Sequence, residues 1–164
     1  MITYIVPCYN SEKYIKETID SIKTSKFNNF ECIIINDGSS DNSESIINNS
    51  ILGDKRFKLI SLKENVGVGK ARNIGIKNAS NKYILPIDSD DIVMPNYAYD
   101  GINFLEANPE YSAYYGKVCY FNEDSEMIIS NAYTTYQKML LSDCLNVSGI
   151  YRKEKAIEIG GYNE

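Results

Sequence analysis

Three carboxylates fall within four residues, Asp88, Asp90 and Asp91, directly after a short apolar run at 83–87. Oxygen ligands at this density suit a hard divalent ion, Mg²⁺ or Mn²⁺, which keeps some of its waters and takes phosphate oxygens as further ligands. A solvated acidic turn ahead of a helix starting near Pro95 would use the same residues, because Asp favours helix N-termini. A fourth acid, Asp37, follows Ile33-Ile34-Ile35-Asn36 and can accept from a nucleobase N–H or a ribose hydroxyl, although Asp37-Gly38 also reads as a turn. Gly67-Val68-Gly69-Lys70-Ala71-Arg72 puts two glycines and two cations at a helix start, where backbone N–H groups and the helix dipole favour an anion. Arg72 stands where a dinucleotide fingerprint needs a small residue, and the spacing is not that of a P-loop. An ion pair with a surface carboxylate is the plainer use for Arg72.

The chain of 164 residues contains no histidine, which removes Ser-His and Cys-His nucleophile systems, His bases and His-containing zinc sites. Carboxylates must then carry any acid–base work. A net charge of −5 disfavours nucleic acid and anionic membranes as broad partners, while leaving room for a local cation to grip one small polyanion. The four cysteines, Cys8, Cys32, Cys119 and Cys144, form no CxxC pair and read as buried reduced thiols. No apolar run approaches the ~18 residues of a membrane helix, and Met1 leads directly into a strand-like run; the expected location is cytoplasmic.

These residues need a scaffold, and the apolar pattern supplies one. The continuous runs at 2–6, ended by Pro7, and at 33–35 predict strands covered on both faces. Between them Ser11 is placed to cap a helix with Tyr14, Ile15, Thr18, Ile19 and Ile22 on one side. Helices are expected at 41–49 and 69–78, strands at 57–62 and 83–87, so the alternation predicts a mostly parallel α/β sheet with helices on both faces. Beyond Asp91 the rhythm changes to a helix from Pro95 to Glu106, strands at 111–121 and 127–130, a helix near 136–141, a strand near 147–151 and a helix at 153–159. Asp37, the 64–67 segment and Asp88 to Asp91 each follow a predicted strand, at the edge where open α/β sheets bind ligands.

Taken together, Val6-Pro7-Cys8-Tyr9-Asn10, Asn36-Asp37-Gly38-Ser39-Ser40-Asp41, Glu64-Asn65-Val66-Gly67 with Ala71-Arg72-Asn73-Ile74-Gly75, Asp88-Ser89-Asp90-Asp91 with Pro95, and Gly160-Gly161-Tyr162-Asn163-Glu164 resemble, in order and spacing, the family-2 glycosyltransferases of the Rossmann-like GT-A fold. The likeness spans nearly the whole chain. It implies transfer of a sugar from a nucleotide diphosphate donor, commonly a UDP-sugar, to an acceptor hydroxyl of a glycan or lipid-linked acceptor, with inversion and with Mn²⁺ or Mg²⁺. On this resemblance Pro7 and Tyr9 line the nucleoside pocket, Asp37 takes the base, and Arg72 lies near the base or diphosphate. Asp90 and Asp88 hold the metal, Asp90 as the direct ligand and Asp88 nearer the ribose or metal; Ser89 belongs to the nucleotide-sugar site, and Asp91 either faces the sugar or stands behind the direct contacts. Residues 1–94 would form the donor half and 95–164 part of the acceptor half.

Two departures stand out. Asn36 occupies a position where the family often has aspartate, a change expected to be tolerated. The family's general base follows the Gly-Gly-Tyr-Asn-Glu stretch, so it is expected beyond Glu164, with Glu123, Asp124, Asp143 and Glu164 among the acids of the acceptor half and none of them assigned as base. A nucleotide-sugar binding fragment without catalysis is the alternative, as is a sugar-1-phosphate nucleotidyltransferase. The latter usually carries a Gly-rich basic loop after strand one, and Pro7-Cys8-Tyr9-Asn10-Ser11 has neither Gly nor cation. Membrane association through further segments is typical of the family.

Overall fold

Two parallel strands rich in isoleucine, β1 (Ile2–Cys8) and β2 (Phe30–Asn36), form the centre of the sheet, running in register from Ile2 opposite Phe30 to Cys8 opposite Asn36. The computed structural model describes residues 1–121, 126–129 and 148–163. β3 (Phe57–Ser61) extends the sheet beside β2, and β4 (Tyr83–Pro86) lies on the other side of β1, both parallel. β8 (Ile150–Arg152) pairs antiparallel with β4 and with β5 (Ala113–Tyr114), giving the order β3-β2-β1-β4-β8-β5. A separate hairpin joins β6 (Val118–Phe121) to β7 (Glu126–Ile129).

The strand period of two explains how such apolar strands are used. Tyr4, Val6, Cys32 and Ile34 face one layer, where α1 (Ile15–Lys23) contributes Ile15, Ile19 and Ile22, α2 (Ser43–Ile51) contributes Ile47, and α4 (Tyr97–Ala107) contributes Ala98, Ile102 and Leu105. Ile5, Ile33 and Ile35 face the opposite layer with Ala71 and Ile76 of α3 (Val68–Asn78), while α5 (Lys153–Glu158) adds Ala156 at its margin. Each buried isoleucine contributes about 1.5–3 kcal/mol, so both layers hold the strand ends in place. Gly75 lets α3 approach closely, since a Cβ there would stand 2.3 Å from Ile5 Cγ2.

Between β4 and α4 the buried guanidinium of Arg152 replaces apolar packing with donors. Nε donates to Tyr111 O at 2.9 Å, Nη1 to Tyr83 Oη at 3.1 Å and Nη2 to Leu105 O at 2.6 Å. The cation thus satisfies carbonyls at the C-terminal end of α4, where the helix dipole favours positive charge.

Several predicted boundaries shift, each for a tertiary reason. β1 continues through Pro7 to Cys8 instead of ending at it. Ile5 O accepts Ile87 N at 2.9 Å on the β4 side, so Pro7, of the same parity, turns its N-less edge past the end of the β4 ladder and costs no hydrogen bond. Ser11 does not cap α1, because its hydroxyl is engaged with Tyr9 O and Ser89 Oγ; the helix starts four residues later, at Ile15. Pro95 lies ahead of α4, with its carbonyl accepting Lys26 N at 2.9 Å. The run expected as one strand at 111–121 is split, since Gly116 sits against the Tyr97 ring and donates its N–H to Tyr97 Oη at 3.3 Å. Of the thiols, Cys8 and Cys32 are buried, with burial pushing both up in pKa, but Cys119 is exposed, contrary to expectation; Cys144 and the helix expected near 136–141 lie outside the described residues.

Candidate functional site

The carboxyl ends of β1, β2 and β4 are tied to one another by side chains that follow each strand. Ser11 Oγ lies 2.7 Å from Ser89 Oγ, and Thr18 Oγ1 donates to Ser89 O at 2.9 Å, joining the β1 and β4 ends. Asn10, at a positive φ of 48°, donates its N–H to Ser39 Oγ at 3.0 Å and accepts Ser40 N at 2.8 Å, joining the β1 and β2 ends. Glu12 and Asp41 reinforce that seam: Glu12 N donates to Asp41 Oδ2 and Asn42 N donates to Glu12 Oε2. Tyr9 extends from this seam half exposed, and Pro7 is buried in β1 below it.

Asp37 is only 2% exposed. Its Oδ1 accepts Val66 N at 2.8 Å and its Oδ2 accepts Gly67 N at 3.0 Å. The glycine-rich start of α3 therefore does bind an anion, and that anion is the protein's own carboxylate. Gly38 beside it has φ 68°, and a Cβ there would stand 2.6 Å from the backbone carbon of Glu64. Neither the conformation nor the space admits a side chain, so Gly38→Ala is expected to cost about 2 kcal/mol and lower the Tm by about 4–8 °C in thermal unfolding. Asn36 donates Nδ2 to Glu44 Oε2 at 3.0 Å and accepts Ser39 N at 3.2 Å. An aspartate there would face Glu44 without a proton to give, which accounts for the amide in this chain.

Arg72 points from α3 to the end of β4. Its Nη2 donates to Asp88 Oδ1 at 2.5 Å, and its Cζ lies 5.1 Å from the centre of the Tyr162 ring. The pair differs from the plain surface ion pair considered above, because the Arg72 side chain is 12% exposed. Its Nε is buried with no hydrogen-bond partner among the described residues. A buried donor without an acceptor is uncommon in folded proteins and is a place for a ligand oxygen. Burial also pushes the Tyr162 phenol up in pKa, so the ring facing Arg72 stays neutral.

Asp90 is exposed at the tip of the 88–91 turn, which Asp91 N closes by donating to Asp88 O at 3.0 Å. Asp91 Oδ2 accepts Ser148 Oγ at 3.2 Å. Burial, followed by the charge of Asp88, raises the Asp91 carboxyl above its usual range. A carboxyl with a raised folded pKa adds stability when protonated and loses it as pH rises through that pKa. Asp91→Asn keeps an acceptor for Ser148 and is expected to raise the Tm at neutral pH, the gain shrinking as pH falls into the ordinary carboxylate range; thermal unfolding across pH checks this.

Among the described residues no group of three or more His, Cys, Asp or Glu side chains is disposed to hold a metal ion. One oxygen of Asp88 is on Arg72 and one of Asp91 on Ser148, so a cation here would take one or two carboxylates and complete its shell with phosphate oxygens and water. That donor set is the usual one for Mg²⁺ and its relatives beside a diphosphate, and in this respect the residues fit.

Two residues of the site carried no assigned role in the sequence reading, Asn73 and Tyr162. Asn73 Nδ2 donates to Tyr162 O and Tyr162 N donates to Asn73 Oδ1, both at 2.9 Å, across 89 positions of chain. Their signal lay in the Arg72-Asn73 and Gly160-Gly161-Tyr162 motifs, but nothing in either motif pairs one with the other.

Acids, an arginine and an aromatic gather at the carboxyl edge of a parallel sheet covered on both faces, the edge where open α/β sheets bind ligands. The chain belongs to glycosyltransferase family 2, whose family model matches residues 3–158. It is 42% identical over 108 residues to an uncharacterised glycosyltransferase of Haemophilus influenzae, covering 66% of this chain and 43% of that one. It is 36% identical over 124 residues to the poly-β-1,6-N-acetyl-D-glucosamine synthase of Staphylococcus aureus, covering 76% of this chain and 30% of that one. The chain thus spans less than half the length of these relatives. Among solved structures, S. aureus TarS 1–349 in complex with UDP-GlcNAc superposes with a TM-score of 0.83 at 25% identity, covering 99% of this chain and 48% of that one. The mannosyltransferase PcManGT of Pyrobaculum calidifontis, in complex with GDP-Man and Mn²⁺, shares the fold with a TM-score of 0.76 at 17% identity, covering 99% of this chain and 47% of that one. The architecture is the GT-A fold expected from the motifs.

Proposed function

We propose that this chain is the donor-binding part of an inverting, metal-assisted glycosyltransferase that takes a sugar from a nucleotide diphosphate, a UDP-sugar by preference, and delivers it to a glycan or lipid-linked hydroxyl at the cytoplasmic face of the membrane. The observation that carries the reading is the Arg72–Asp88 pair at the sheet's carboxyl edge, with Arg72 Nε buried and unpartnered. Support comes also from a neighbour that holds UDP-GlcNAc on the same fold.

In this reading Tyr9 stacks on the base above Pro7, and Asp37 uses its remaining lone pairs for the base while holding the 64–67 loop. Arg72 offers Nε to the base or diphosphate. Ser89 and Asp91 border the ribose and sugar, and Asp90 with Asp88 holds Mn²⁺ or Mg²⁺. As the acceptor oxygen attacks the anomeric carbon, negative charge gathers on the departing diphosphate. A divalent ion bound there would supply charge compensation worth several kcal/mol of gross stabilisation. Residues 1–94 form the donor half and the residues after 94 the acceptor half.

Thermal unfolding with UDP, GDP and dTDP, each with and without Mn²⁺, tests the reading. A nucleotide at 100 times its Kd stabilises by about 2.7 kcal/mol, a Tm rise of roughly 5–11 °C. The expected result is a rise with UDP that is largest when Mn²⁺ is present. The same Tm with every nucleotide would contradict the assignment.

A further inference from the structure

α3 and the 160–163 turn are locked together more tightly than their short contact requires. Asn73, 7% exposed, engages both backbone groups of Tyr162 with the two ends of its amide. Gly161, at φ 78°, makes room for it, since a Cβ there would stand 2.3 Å from Asn73 Oδ1. Gly69 makes room a turn earlier, where a Cβ would stand 2.5 Å from Asn163 O. From the other side, Gly160 N donates to Ile157 O at 3.0 Å and Gly161 N to Ala156 O at 2.9 Å, ending α5 so that the turn has one path.

What this lock delivers is the Tyr162 ring, placed against the Arg72 guanidinium, which also donates to Asp88. An ion pair between flexible side chains is worth little when neither is held. A guanidinium stacked on a fixed ring gains both the ring's attraction and a restricted rotamer. We infer that Asn73 is a positioning residue: through Tyr162 it fixes Arg72 on Asp88, and so orients the carboxylate at the metal–diphosphate end of the donor site. The inference rests on the donor-site reading above.

Its test is the Kd of UDP with and without Mn²⁺, by calorimetry, for the wild type, Asn73→Ala, Tyr162→Leu and the double variant, with circular dichroism to confirm folding. Asn73→Ala and Tyr162→Leu are each expected to weaken UDP binding about tenfold in Mn²⁺ and by a clearly smaller factor without metal, where only the direct Arg72 contact with the nucleotide is loosened. The double variant should lose no more than the worse single one, because both break one chain of contacts. Equal weakening with and without metal, additive losses, or wild-type affinity in Asn73→Ala would overturn the inference. Should Asn73→Ala not fold, Tyr162→Leu decides alone by the same metal-dependence. A wild type that binds no UDP in either condition removes the donor-site reading and this inference with it, whereas metal-dependent binding unchanged by the variants removes the inference only.

Discussion

Asp90→Asn is expected to lower Mn²⁺-dependent turnover of a UDP-sugar by about 10²–10³-fold while leaving the Tm within about 2 °C of the wild type. Asp90 is exposed, so its carboxylate contributes little to the fold that an amide cannot replace. In the proposed reading its charge acts on a bound cation, and several kcal/mol of charge compensation correspond to a loss of this size. The measurement is steady-state transfer or donor hydrolysis by the full enzyme carrying this domain, with Mn²⁺ varied. Turnover within threefold of wild type would remove Asp90 from the metal site, and a Tm drop of many degrees would show it to be a structural cap instead.

Asp37→Ala is expected to have the largest effect on stability. It strips Val66 N and Gly67 N of a carboxylate that binds both, from a residue 2% exposed between the β1 and α3 ends. Two charge-assisted hydrogen bonds are lost and Val66 N is left unpaired, while Gly67 N keeps Asn65 Oδ1 at 3.1 Å, which puts the cost at about 3 kcal/mol, a Tm drop of roughly 6–12 °C. Asp37→Asn keeps one acceptor but turns an NH₂ toward the second N–H, so it is expected to recover less than half of the loss. Nucleotide binding should weaken in both variants, because the loop they release borders the same edge. Unchanged stability in Asp37→Ala, read by thermal or urea unfolding, would mean that the two amides find other partners.

The fold was legible where the chain spells continuous apolar strands. Ile2 to Val6 and Ile33 to Ile35 have no polar alternation, and only a sheet covered on both faces uses such runs. Its ends were less legible, because long-range partners decide them. Ser11 has the chemistry of a helix cap but spends its hydroxyl on Ser89, 78 residues away. Gly116 interrupts an otherwise strand-like run because of the Tyr97 ring, which no local pattern announces. The same division runs through the site. That Asp88, Asp90 and Asp91 stand at the carboxyl edge of the sheet followed from their place after a strand. That Asp37 binds the 66–67 amides, and that Asn73 grips Tyr162, are contacts across 29 or more positions between motifs that read separately as turns and helix starts. The affinity of the α3 start for an anion was readable from its glycines; that the anion is internal was not.

In the proposed reading a nucleoside diphosphate and its metal occupy the carboxyl edge of β1, β2 and β4. A crystal structure with UDP and Mn²⁺, using the anomalous signal of manganese, tests it most directly. The expected result is manganese bonded to a carboxylate oxygen of Asp90 or Asp88 and to the diphosphate, with the base against Tyr9 and a ligand oxygen within hydrogen-bond distance of Arg72 Nε. Manganese and UDP found together at any other surface, with Arg72 Nε still unpartnered, would contradict it.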